Sequence, residues 1–285
     1  MKKNLWKQVA GVAVVGLLVT ACNSNEEVSL VEGFGAEESA LWESVDLALD
    51  GEIDGASFGS FTGNKSELAG RGGLSDCATV TSSGDEFPKT ITIDFGDGCE
   101  GRRGHVKSGV IVITLTDELI NAGASRTVSF ENFYVDDKAV TGSRVVTNEG
   151  QNGDGNWVMT RTIDMTMTDA EGATMTRTSS GSKTWLAGFA DDAVDNVYLL
   201  SGSGTVTDPD GNTYSKTILE AIHVDQGCGY PIAGIVEMVG PERSGTIDFG
   251  DGTCDNVATL TNADGESVEI DLDELKRRKR RRLRG

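Results

Sequence analysis

One phrase occurs twice, each time with a cysteine behind it, and it constrains the fold more than anything else in the chain. Ile93-Asp94-Phe95-Gly96-Asp97-Gly98-Cys99 returns as Ile247-Asp248-Phe249-Gly250-Asp251-Gly252-Thr253-Cys254, with Cys77 upstream of the first copy and Cys228 upstream of the second. The midpoint of each cysteine pair falls on a proline, Pro88 in Gly-Asp-Glu-Phe-Pro-Lys and Pro241 in Val-Gly-Pro-Glu-Arg-Ser-Gly. Proline among glycine and charged residues is turn chemistry, so each unit is expected to fold back as a hairpin that brings its cysteines together at the open end. Four cysteines admit three pairings; the hairpins select Cys77–Cys99 and Cys228–Cys254. A bridge closing a loop of this size is worth on the order of 3 kcal/mol. The rival, a zinc site of four cysteines, lacks a CxxC spacing.

After Cys77 the chain keeps a period of two. Ile91, Ile93 and Phe95 share one face, opposite Thr90, Thr92 and Asp94. Val110 to Leu115 is apolar on both faces, as a strand covered on both sides would be. Further strands are predicted at about 125–135, 138–148, 156–168, 173–186, 194–207, 212–225, 229–238, 244–250, 255–261 and 266–271. Their separators are turns: Asn152-Gly153-Asp154-Gly155, Asp169-Ala170-Glu171-Gly172, Asp208-Pro209-Asp210-Gly211 and Asn262-Ala263-Asp264-Gly265. Short connections imply antiparallel neighbours, since parallel strands need long crossovers. The expected fold is mainly β, an antiparallel meander of long strands curling into a half-barrel, a barrel or a sandwich, with one N-terminal helix. That helix spans 36–49, with Leu41, Val45 and Ala48 on one side, Trp42 and Leu49 flanking, and acids outside. Residues 50–76 are glycine-rich and aperiodic, a connection ahead of a β domain at 77–272.

The strand at 156–168 carries a further signal. Trp157, Met159, Ile163, Met165 and Met167 alternate onto one face, interrupted by Arg161, while threonines fill the other. The next strand repeats the theme with Met175 and Trp185. Methionine fills irregular core gaps and also lines adaptable binding surfaces. Trp157, Met159, Met165, Met167, Met175 and Trp185 are therefore either core or an apolar ligand face. The expectation taken forward is that the helix covers part of this face and leaves a groove near Met165 and Met167.

The start of the chain sets the compartment. Met1 to Lys7 carries three lysines and no acid, and Val9 to Ala21 is apolar but shorter than a membrane span of about 20 residues. Val19-Thr20-Ala21-Cys22 resembles the lipobox of bacterial lipoproteins. The resemblance implies cleavage before Cys22, acyl chains such as palmitate on that cysteine, and membrane anchoring at about 0.8 kcal/mol per buried methylene. Asn23, where aspartate would resemble a retention signal, points to the outer membrane, and Asn25-Glu26-Glu27 resembles the surface-export signal of Bacteroidota lipoproteins. Residues 1–22 are then a signal peptide with its lipobox cysteine and 23–35 a tether. Without residues 1–22 the chain keeps 22 basic side chains against 45 acids, a formal charge of −23. That balance disfavours nucleic acid as a partner and favours solubility. The tail 273–285 reverses it, with eight basic residues and one leucine between Lys276 and Arg284. It is either a solvated end or a contact for anionic headgroups.

Ile-Thr-Ile-Asp-Phe-Gly-Asp-Gly-Cys followed by Gly101-Arg102-Arg103-Gly104, and the closing Ile247 to Asn256 stretch, resemble a group of uncharacterised outer-membrane lipoproteins of Bacteroidota. The resemblance spans most of the chain from Cys22 to Leu272 and implies a β-rich exported fold, with no activity attached. PKD-type β-sandwich modules carry a similar turn, but Ile93 and Ile247 stand where their tryptophan belongs. Asp94, Asp97, Asp248, Asp251 and Asp255 could supply oxygens to calcium; the same residues are what tight turns need. No other cofactor is indicated. His105 and His223 lie far apart, with no HExxH or GxSxG around them. The expectation is a surface or outer-membrane lipoprotein without enzymatic activity, serving envelope structure, adhesion or the binding of an external ligand or envelope partner. The alternatives are a carrier of lipid or another apolar ligand in a half-barrel groove and, third, a glycan hydrolase, which would show two carboxylates about 5–10 Å apart.

Overall fold

In a computed structural model, which describes Leu49, Glu52, Ile53, Ala56, Ser57 and residues 74–101, 104–189 and 196–273, the four Asx-x-x-Gly separators form one and the same turn. Asn152, Asp169, Asp208 and Asn262 each turn their side-chain oxygen back onto the chain. Each accepts from the backbone N–H groups two and four residues on, as in Asp169 with Glu171 at 3.1 Å and Ala173 at 2.8 Å. The fourth position needs a left-handed backbone and is glycine every time, with φ of 81° to 85° at Gly155, Gly172, Gly211 and Gly265. A turn this specific sets the register of the strands on either side.

The strands it joins are β1 (Thr79–Ser82), β2 (Lys89–Asp94), β3 (Cys99–Glu100), β4 (Val106–Leu115), β5 (Ser125–Val135), β6 (Lys138–Gln151), β7 (Trp157–Thr168), β8 (Thr174–Ala187), β9 (Val197–Thr207), β10 (Thr213–Asp225), β11 (Pro231–Val239), β12 (Ser244–Asp251), β13 (Val257–Asn262) and β14 (Ser267–Asp271). All pair antiparallel in one 14-stranded sheet that does not close on itself. Each strand lies beside its neighbours in the chain, except that β2 and β3 run end to end along β4. This is the expected meander, in its open form.

Both cysteine units are hairpins. β1 pairs with β2 across a turn holding Pro88, and Cys77 is bonded to Cys99. β11 pairs with β12 across a turn holding Pro241, and Cys228 is bonded to Cys254. The two bridges lie near opposite ends of the strand order.

The two faces of the sheet differ in chemistry. The outer face carries hydroxyl rungs; Thr141, Thr166, Thr176, Thr207 and Thr213 stand in register across β6 to β10. Threonine is β-branched and polar, which suits a pleated surface facing water. The inner face is the core. Ile91, Ile93, Ile111, Ile113, Phe133, Val140 and Ile163 are sealed there against helical Leu49, Ile53 and Ala56. Each such side chain contributes about 1.5–3 kcal/mol by leaving water. A second, smaller core packs Leu260, Ile270 and Leu272 against Tyr230 and Phe249 at the C-terminal margin.

Two expectations are corrected here. Glu52, Ile53, Ala56 and Ser57 are helical and buried, inside the stretch read as a glycine-rich connection. The spacing of Leu49, Ile53 and Ala56 is that of one helix face, and its burial against the sheet outweighs the glycines in the local sequence. Val110 to Leu115 is not covered on both sides: Ile111, Ile113 and Leu115 are buried, whereas Val110, Val112 and Thr114 on the other face are only half-buried.

A buried ion pair joins the helical segment to the sheet. The Lys107 ammonium lies 2.5 Å from the Glu52 carboxylate, with both side chains only 4% exposed. Ser75 completes the group: its N–H donates to Glu52 at 2.9 Å, its hydroxyl donates to the same carboxylate, and Lys107 Nζ lies 3.3 Å from that hydroxyl. Lys107 also sits over the Phe95 ring at 5.3 Å. Segment, β4 and the approach to Cys77 are thereby fastened at one point.

Candidate functional site

On β7, β8 and β9 the inner face changes character along the strands. Ile163, Met165, Met167 and Met175 belong to the sealed core; Met165 is 0% and Met167 2% exposed. The expected groove at Met165 and Met167 is therefore not there, because Leu49, Ile53 and Ala56 pack into the same cluster. Further along come Arg161, Gly181 and Gly202, paired in register. Gly202 has φ of 131°, and a Cβ there would lie 2.4 Å from Gly181 Cα, so the two strands approach where no side chain fits.

Beyond that glycine row lies a half-buried patch. Trp157, Trp185 and Tyr198 stand side by side, and the next row is Met159, Lys183 and Leu200. All of these are partly accessible rather than sealed. Phe189, just past β8, stacks on Trp157 at 4.6 Å with an 11° tilt and meets Trp185 edge-on at 5.3 Å. Lys183 Nζ lies 4.3 Å over the Trp185 ring and 3.7 Å over the Tyr198 ring. Burial pushes the Lys183 pKa below its ordinary value, since an ammonium gives up hydration there. Of the predicted ligand face, Trp157, Met159 and Trp185 thus gather in an accessible patch, whereas Met165, Met167 and Met175 are core. Lys183, Tyr198 and Leu200 are additions that the strand register reveals, and Phe189 joins them through its contacts with Trp157 and Trp185.

Four of the five candidate aspartates are engaged by their own turns, and Asp97 is exposed. Asp94 accepts from Gly96 N–H at 2.8 Å, and Asp248 accepts from Gly250 N–H at 2.9 Å. Asp255 accepts from Val257 N–H at 3.0 Å. Asp251 accepts from the Thr253 hydroxyl at 2.8 Å and the Thr253 N–H at 3.2 Å, and these bonds hold its carboxyl below the usual range. Asp94 and Asp97 belong to the first unit, the other three to the second, near opposite ends of the strand order. Among the described residues no group of three or more histidine, cysteine or acidic side chains is arranged to hold a metal ion. Asp208 likewise holds a hairpin turn: its carboxyl is kept low by the Asn212 side chain at 2.9 Å and by the Asn212 and Asp210 N–H groups.

The histidines are not brought together. His105 precedes β4 and bonds Asp136 at 2.6 Å, whereas His223 lies on β10. Cys22, the tether and nearly all of the 36–49 helix and the basic tail lie outside the described residues. Asp273, at the head of that tail, accepts from the Tyr230 hydroxyl at 2.6 Å. No helix among the described residues is long and apolar enough to cross a membrane. No family model, no curated protein and no solved structure matches this chain.

Proposed function

We propose that the chain is a lipid-anchored lipoprotein of the outer membrane, with its body at the cell surface and a non-enzymatic role in binding an external ligand. The observation that carries the reading is the contrast along the inner face of β7 to β9. One end is sealed by the helical segment, and the other keeps Trp157, Met159, Trp185, Tyr198 and Leu200 half-buried. Aromatic side chains hold large apolar area at low entropic cost, which suits them to recognition. Anchoring through Cys22 rests on the lipobox resemblance, and the negative body would keep the protein soluble beyond its anchor. The carrier reading shares the same surface and would need it to enclose an acyl chain.

A neutral, environment-sensitive apolar dye tests the binding surface. The native protein should enhance its fluorescence, and Trp185→Ala should weaken that response while both disulfides and the far-ultraviolet spectrum persist. A native protein that binds no such dye removes the binding face and leaves anchoring or adhesion as the role. Metabolic labelling with a tagged fatty acid tests the anchor, which Cys22→Ala should abolish.

A further inference from the structure

We propose that Lys183 is the recognition centre of a site for an amphiphilic carboxylate, its ammonium pairing with the acid group while the apolar body lies along Trp185, Tyr198 and Leu200. The inference rests on the binding face proposed above and adds the chemical class of its ligand. Lys183 is surrounded by apolar groups in both directions of the sheet. Met159 and Leu200 stand directly across from it, and Trp185 follows on the same face of the same strand, flanked by Trp157 and Tyr198.

A lysine that only covers apolar surface lays its methylenes down and carries its ammonium out to water. Lys183 instead holds its ammonium itself over two rings, at 3.7 Å and 4.3 Å. The chain has 45 acidic side chains, yet among the described residues no carboxylate pairs with this one. Lys107, by contrast, is neutralised by Glu52 on the same face. A partly desolvated cation with no carboxylate beside it among the described residues gains from an arriving anion, since a charge-assisted bond is stronger where water is scarce. Its apolar surround admits an anion that brings a hydrocarbon body and disfavours a small hydrated one. Phe189 covers one face of Trp157, and Lys183 lies over one face each of Trp185 and Tyr198.

Three ten-carbon probes below their micellar concentrations separate the outcomes: decanoate, decanol and decyltrimethylammonium. Binding to the full-length protein is read from the change in its tryptophan fluorescence, to which Trp157 and Trp185 contribute, alongside Lys183→Met and Lys183→Arg. Decanoate is expected to bind about tenfold tighter than decanol, a preference retained by Lys183→Arg and lost in Lys183→Met, which keeps the packing volume. Equal binding of decanoate and decanol to the native protein overturns the anion site and leaves the apolar binding face standing. A preference for decyltrimethylammonium overturns it too, because the rings would then be the receptor and Lys183 their resident cation. If none of the three binds, the binding face and the anion site fall together.

Discussion

Replacing Lys107 by methionine isolates the buried charge pair between Glu52 of the helical segment and β4. The substitution keeps most of the apolar volume and leaves the Glu52 carboxylate, 4% exposed, bonded among the described residues by Ser75 alone. Breaking a buried pair by removing one partner typically costs about 3–5 kcal/mol, because the surviving charge stays out of water. The lost ammonium over Phe95 adds a contribution of up to about 2 kcal/mol. A total of about 4–6 kcal/mol should lower the urea midpoint by about 2–3 M for an m-value near 2 kcal/mol/M, with both disulfides intact. The paired variant Glu52→Gln/Lys107→Met removes the stranded charge yet keeps an acceptor for the Ser75 N–H. It should lie within about 1–2 kcal/mol of the native protein, a coupling of at least about 2 kcal/mol. A midpoint shift below about 0.5 M for Lys107→Met, or a double variant as weak as the single one, would refute the assignment of this pair as the fastening.

Peptide mapping without reduction should recover Cys77 linked to Cys99 and Cys228 linked to Cys254, and replacing Cys228 and Cys254 by serine should cost about 3 kcal/mol in urea unfolding. EDTA should leave the melting temperature unchanged, because the Asp94, Asp248, Asp251 and Asp255 carboxylates are bonded within their turns; a drop of several degrees restored by calcium would revive the metal reading. Partial burial pushes the Asp136 carboxyl up, but the bonds from His105 and the Val106 N–H, with the charges of His105 and Lys138, outweigh it and hold the carboxyl below its ordinary value of 3.8. The folded value being the lower one, this contribution is complete above that ordinary pKa and is lost as pH falls through the folded value; Asp136→Asn should therefore flatten the drop in urea midpoint between pH 5 and pH 2.5.

The strands were legible because each break between them is chemically explicit. Segments 125–135 and 156–168 agree with β5 and β7 to within a residue; for β7 a side-chain oxygen and a glycine set the turns on either side, and β5 ends at the tight Asp136-Asp137 turn. The cysteine pairing was legible for the same reason, through the prolines at the hairpin centres. The helical residues beyond Leu49 were hidden because Gly51 and Gly55 interrupt the helix-period pattern of Leu49, Ile53 and Ala56. The divided fate of the β7 face was not legible at all. Met165 and Met159 present the same alternation to a reader of the chain, and only the position of the covering segment makes one core and the other accessible. The Lys183 cluster left a fainter trace: Trp157-x-Met159, Lys183-x-Trp185 and Tyr198-x-Leu200 share one spacing, but nothing local states that they align.

The open meander has a consequence for how such a protein can change length. A closed barrel imposes a strand number, because shear and tilt must agree around the ring. Here, apart from β2 and β4, which pair with each other past β3, every strand pairs only with the strands before and after it in the chain. Removing or adding a whole hairpin would return the chain to the same edge, pointing the same way, with its apolar residues still inward. The sheet resembles in this respect a stack of repeats, whose stability is a sum of nearest-neighbour terms and whose ends need special protection. The cystine-stapled hairpins lie close to those two ends, so growth and loss of strands are free to occur in the interval between them.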